Sequence, residues 1–167
     1  MWYGLVMSRK TIETNVEQMP LVGVFMKVAM LAREQVWSQV AREKWFTKDS
    51  LRLTCIGVIH AISIMQPVSQ KDVANLVRVD PSDLVGILDE LENAGYVERK
   101  RDSKDRRRQL LSLTKKGIEA RKKLELIGAE SMDKTLAPLK DGEREILRAL
   151  LLRVLIHHES MDLQKES

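Results

Sequence analysis

The chain has 167 residues, 44% of them hydrophobic and 31% charged, with eight Gly, four Pro and one Cys. That length accommodates one domain of ordinary size with a real core, and the balance excludes a disordered tract or a disulfide-stapled scaffold. No apolar run reaches the ~18–20 residues of a membrane-spanning helix, so insertion and export are not expected, and the lone Cys55 fits a reducing, cytoplasmic compartment.

Residues 1–15 are expected to form an unstructured leader, in which Trp2, Tyr3 and Leu5 either dock on a partner or fray. From Glu17 to about Glu43, apolar residues at Leu21, Val24, Phe25, Val28, Leu31 and Ala32 make a helical stripe, with Pro20 near the first turn. A second helix is predicted after Thr47-Lys-Asp-Ser, whose oxygens are candidate caps. It spans Leu53, Ile56, Ile59, His60 and Ile64 and ends at Pro67.

Ser69 and Asp72 then form an S-x-x-D capping signature for a short helix reaching about Leu76. Asp80 reads as the cap of the next helix, with Pro81 at its first position, and Ala94-Gly95 closes it. Two helices this close must turn sharply, which is helix-turn-helix spacing. Tyr96–Arg99 and Gln109–Thr114 read as two strands of a hairpin. Thr114 can cap a long helix to about Leu136. After Pro138, Asp141 and Gly142, a last helix presents Ile146, Leu147, Leu150, Leu151, Val154 and Leu155. The expected fold is mainly α with a small β-hairpin, a winged helix-turn-helix.

The net charge of +4 hides an asymmetry. Between Val97 and Lys123 stand twelve Lys/Arg against four Asp/Glu, a local excess of eight, so the remainder is net acidic. Concentrated cation beside a two-helix motif is the footprint of a polyanion partner, here double-stranded DNA. In the helix from Pro81, Leu84, Ile87, Leu88 and Leu91 share one face and should pack inward, leaving Ser82, Gly86, Asp89 and Asn93 outward with Asp83 and Val85 on the flanks. Ser82 can meet bases or phosphate at the helix N-terminus. Asp83 either satisfies free amide hydrogens of the first turn or accepts from a cytosine amino group. Gly86 costs about 1 kcal/mol in a helix interior, which implies either close approach of the backbone to DNA or a tight contact inside the protein. In the tip Arg101–Arg108, Arg101, Lys104, Arg106, Arg107 and Arg108 are candidates for phosphate and minor-groove contact, with Asp102 and Asp105 ordering the turn.

These residues resemble a known family. Asp80-Pro-Ser-Asp-Leu-Val-Gly-Ile-Leu-Asp-Glu-Leu-Glu-Asn-Ala-Gly-Tyr-Val-Glu-Arg, then Asp102-Ser-Lys-Asp-Arg-Arg and Leu111-Ser-Leu-Thr-Lys-Lys-Gly, are similar to the MarR family of bacterial winged-helix regulators. The resemblance implies a homodimer in which helices from residues 16–48 and 115–160 form the dimerisation region, and residues 49–114 form the DNA-binding lobe. It implies a repressor that straddles a palindromic operator, with base reading on Ser82 and its neighbours and a minor-groove arginine at Arg107 beside Arg106. It further implies release of DNA when a small aromatic or acidic ligand binds between the dimer helices and the lobe. Members commonly carry Thr or Ser where this chain has Asp83 and Val85, and Arg or Lys where it has Gly86. Affinity should therefore lean on the wing and on phosphate contacts near Ser69, Gln70 and Lys71.

Trp37, Trp45 and Phe46 could line an effector cavity with His60, or serve as ordinary core and interface aromatics. Cys55 is expected to be a packed, inert thiol, and adjacent His157 and His158 diverge too far on a helix to chelate one metal. No glycine-rich phosphate loop, H-E-x-x-H or nucleophile turn is present, so neither an enzyme nor a cofactor is expected. Two rival readings remain: a winged-helix module that uses its basic wing on an acidic protein, and a constitutive architectural DNA-binding protein without an effector.

Overall fold

The computed structural model describes residues 16–103 and 109–165. Helix α1 (Leu21–Val40) starts at Pro20, and it runs along α6 (Lys115–Thr135). A five-residue helix α2 (Lys44–Lys48) follows, then α3 (Thr54–Met65), which is hydrophobic almost all round and buries Cys55, Val58, Ile59, Ala61 and Ile62. The expected cap on α3 is absent: Leu53 precedes it without a side-chain bond, and the Thr47 and Asp49 oxygens serve elsewhere. The Thr47 hydroxyl donates to the carbonyls of Glu43 and Lys44, and Asp49 Oδ2 accepts from Tyr96 Oη at 2.6 Å and Lys116 Nζ at 2.7 Å.

Strand β1 (Val68–Ser69) leads into α4 (Gln70–Val77), which the sequence places correctly: Ser69 Oγ accepts from the Asp72 amide at 3.2 Å and donates to its carboxylate. Arg78 ends α4 in the left-handed region at φ +52°, making the sharp turn to α5 (Pro81–Asn93). Gly95, at φ +77°, carries the chain into β2 (Val97–Arg101), and β3 (Gln109–Leu113) returns. The sheet is antiparallel with order β1-β3-β2, pairing Val97 with Leu113, Arg99 with Leu111 and Val68 with Leu111. The hairpin thus gains a third strand that a two-residue segment could not announce by alternation.

Thr114 caps α6, accepting from Gly117 N at 3.1 Å while its hydroxyl donates to the Gly95 carbonyl at 2.7 Å. Helix and sheet meet so closely here that a Cβ on Gly117 would lie 2.1 Å from the Tyr96 carbonyl oxygen. The glycine of the L-x-L-T-x-x-G run is therefore a packing requirement. The core joins α3, α5 and the sheet through Ile59, Ile62, Leu84, Leu88, Leu91, Tyr96 and Leu111, all under 2% exposed. By contrast, α1 and α7 (Asp141–Lys165) leave Leu21, Phe25, Met30, Ile146, Val154 and Leu155 exposed.

Candidate nucleic-acid interface

Helix α5 is the centre of the site. Asp80 Oδ1 accepts from the Ser82 amide at 2.8 Å and from the Ser82 hydroxyl, Pro81 occupies the first position, and Leu84, Ile87, Leu88 and Leu91 anchor one face in the core. Those two bonds hold the Asp80 carboxyl below the usual carboxylate range. The predicted outward face is exposed as expected: Ser82, Asp83, Val85, Gly86, Asp89 and Asn93 all face solvent. Ser82 keeps acceptor capacity after donating to Asp80. Asp83 forms no hydrogen bond among the described residues, so the first turn is capped by Asp80 alone. Around Gly86 the chain is open: a Cβ would meet only Arg52 Nη2, at an ordinary 3.5 Å, so an internal tight contact does not account for this glycine.

Charge decides what this helix can approach. It contains no Lys or Arg and four acids, Asp83, Asp89, Glu90 and Glu92, a poor surface for a polyanion. Two arginines from outside offset them. Arg99 on β2 grips Asp89 Oδ1 and Glu92 Oε2, both at 2.7 Å, with its side chain only 19% exposed. Arg52, ahead of α3, sets Nε 2.7 Å from Glu90 Oε1, a hydrogen bond that raises the guanidinium above its ordinary value. Sequence reasoning counted Arg99 within the basic stretch aimed at a polyanion and passed over Arg52. The absence of any cation on α5 was the signal that both were needed.

Other predicted residues divide clearly. Lys71 is exposed in the first turn of α4 and Gln70 half-buried, whereas Ser69 is buried and committed to its cap. Arg101 is exposed at the end of β2, opposite Gln109. Lys104, Arg106, Arg107 and Arg108 lie outside the described residues, as does Asp105. Of the other cations in the basic stretch, Lys100 pairs with Glu98, Lys116 with Asp49 and Arg121 with Glu125. The local excess of positive charge is thus partly spent inside the protein.

The four candidate effector residues do not share one space. Trp37 lines a cavity of about 440 Å³ on α1 with Met30, Arg33, Glu34 and Ser38, and the Arg33 guanidinium lies 3.5 Å over its ring. Phe46 is buried in the core, and Trp45 packs edge-on to it at 5.7 Å and against Tyr96 at 6.1 Å. His60 is exposed on α3. Burial pushes the Cys55 thiol up to about 12, so it remains a protonated, unreactive core group beside Glu90.

The family model for the MarR family matches residues 50–108. The HTH-type transcriptional regulator BilQ of Clostridium symbiosum is 30% identical over 107 residues, covering 64% of this chain and 74% of that one. The chain belongs to the MarR family. Like other MarR proteins it is a DNA-binding transcription regulator and not an enzyme. Solved MarR structures share the fold: wild-type MarR from E. coli, without ligand, superposes with a TM-score of 0.67 at 22% identity, over 82% of this chain and 98% of that one. The PcaV regulator from Streptomyces coelicolor, in complex with its natural ligand, superposes with a TM-score of 0.62 at 24% identity, over 84% and 94%. Among the described residues, no helix is long and apolar enough to cross a membrane.

Proposed function

We propose that this MarR protein is a homodimeric, ligand-responsive repressor of a palindromic operator. The observation that carries this reading is α5: one face locked in the core by four leucine and isoleucine side chains, the other presenting Ser82, Val85 and Gly86 to solvent beside a basic hairpin. A rod held so firmly can place base-contacting groups in a major groove while the wing arginines, Arg106 and Arg107 foremost, reach the minor groove.

Dimerisation is supported by α1 and α7. Leu21 is 84% exposed, Phe25 60%, Ile146 62% and Val154 59%, an apolar surface that water disfavours and a second copy of the same helices would cover. Two lobes joined in this way set their α5 helices about one DNA turn, roughly 34–36 Å, apart, and the operator mirrors that two-fold axis. Support for a small effector comes from the ligand-bound PcaV relative and from the cavity at Trp37, where Arg33 can pair with a carboxylate while the indole stacks on an aromatic ring. Such a ligand acts only by binding two dimer geometries unequally, the favoured one mismatching the operator.

Selection of duplexes from a random pool with the purified protein tests the reading. A palindrome with half-sites one turn apart is the expected result, and retention of no preferred sequence overturns it.

A further inference from the structure

The helix assigned to the groove has no cation of its own, yet one lies along it. The Arg52 guanidinium follows the stripe formed by Asp83, Gly86 and Glu90: Nε meets Glu90 Oε1 at 2.7 Å, and Nη2 stands 3.5 Å from where a Cβ on residue 86 would be. The side chain is 53% exposed, held at Nε by Glu90 and with the Asp83 carboxylate near enough to favour its charge. Gly86 keeps this arrangement open. A glycine weakens a helix interior, and nothing inside the protein requires one here, since its Cβ would make only an ordinary contact. What the missing side chain frees is approach from outside, over α5, to the arginine behind it.

We propose that Arg52 is a specificity-determining residue that reads a guanine in each operator half-site, its guanidinium presented over Gly86 and steadied by Glu90. This rests on α5 being the helix that enters the groove. An arginine already gripped at Nε loses little rotamer freedom on binding, and its planar terminal donors match the O6 and N7 acceptors of guanine in the major groove. Cation on the reading face therefore comes from the start of α3, through space, and the helix itself needs none. Lysine, a point charge without the fork, cannot replace it.

The test is selection from random duplexes with the full chain, with Arg52→Ala and with Arg52→Lys, followed by titration on the operator that the unaltered protein selects. The unaltered protein should return a palindrome with one guanine placed symmetrically in each half. Both variants should return the same palindrome with that position relaxed, and bind the original operator about five- to 150-fold more weakly per half-site, the discrimination of one bidentate contact. Their melting temperatures should stay close to that of the unaltered chain, because the ion pair is half-exposed. Unchanged preference at every position, or an equal loss on all sequences as from a phosphate anchor, overturns the assignment. Failure of the unaltered protein to enrich any palindrome takes down the reading of α5 itself.

Discussion

Replacing Gly117 by Ala tests how the lobe is joined to the long helix. The added Cβ would stand 2.1 Å from the Tyr96 carbonyl oxygen and 3.2 Å from Leu113 Cβ, about 1 Å or more inside ordinary contact with a backbone atom that cannot rotate away. That carbonyl also accepts from the Thr114 amide at 3.0 Å, and Gly117 N bonds the Thr114 cap, so relief must draw α6 off the sheet and loosen both bonds. Overpacking costs about 1–3 kcal/mol and a weakened cap about 0.5–2, against a gain of about 1 for alanine in a helix, leaving a net loss of about 0.5–4 kcal/mol. At 2–4 °C per kcal/mol for a chain of this size, melting should fall by about 1–16 °C, read by circular dichroism at fixed protomer concentration. Gly128→Ala on the same helix is the control: a Cβ there meets nothing within 4 Å, so it should melt at or above the parent. If Gly117→Ala melts as high as Gly128→Ala, the close approach is not what fixes the glycine.

Gly86→Ala should split stability from binding. It raises melting through helix propensity, by about 0.5–1 kcal/mol, yet weakens DNA binding in a fluorescence anisotropy titration, and a variant that loses both would contradict the open surroundings of that position. Arg107→Ala should weaken binding and flatten the dependence of log affinity on log salt by about one, and an unaltered slope refutes its phosphate or groove contact. Asp49 is held below its ordinary value near 3.8 by hydrogen bonds from Lys116 and Tyr96. A depressed carboxylate stabilises above its unfolded value and loses that contribution as pH falls through the folded one. The melting gap between the parent and Asp49→Asn should thus be widest near neutrality and shrink progressively as pH falls below the ordinary carboxylate range. A gap that does not shrink on acidification refutes the ionised network.

The elements that sequence reasoning located share a common cause: their signals are local. Ser69 with Asp72, Asp80 with Pro81, and Thr114 with Gly117 each lie within three residues of the groups they satisfy, so capping chemistry announces α4, α5 and α6 directly. Where partners are distant, the sequence was silent or misleading. Asp49 looked like a helix cap, but Tyr96, 47 residues on, and Lys116, 67 residues on, claim its carboxylate. Strand β1 exists because β3 pairs with it, and two residues carry no alternation. For Phe46 and Trp45 the sequence left an effector cavity and the core equally open; a five-residue helix, too short for periodicity, turns Phe46 into the core.

The site divides along the same line, and the division says how this protein can bind DNA at all. The outward face of α5 follows from its 100° periodicity, and every residue assigned to that face is exposed. Periodicity, however, treats the helix alone, and alone it is an acidic rod that phosphates would repel. Arg99 offsets part of the charge of Asp89 and Glu92 from the sheet, and Arg52 offsets Glu90 from ahead of α3, so the face repels DNA less only once three elements are assembled. With three of its four acids paired and Asp83 left, α5 contributes shape and hydrogen bonding more than attraction. Bulk electrostatic affinity then falls to the wing and to Lys71, and base discrimination to the few groups gathered around Gly86.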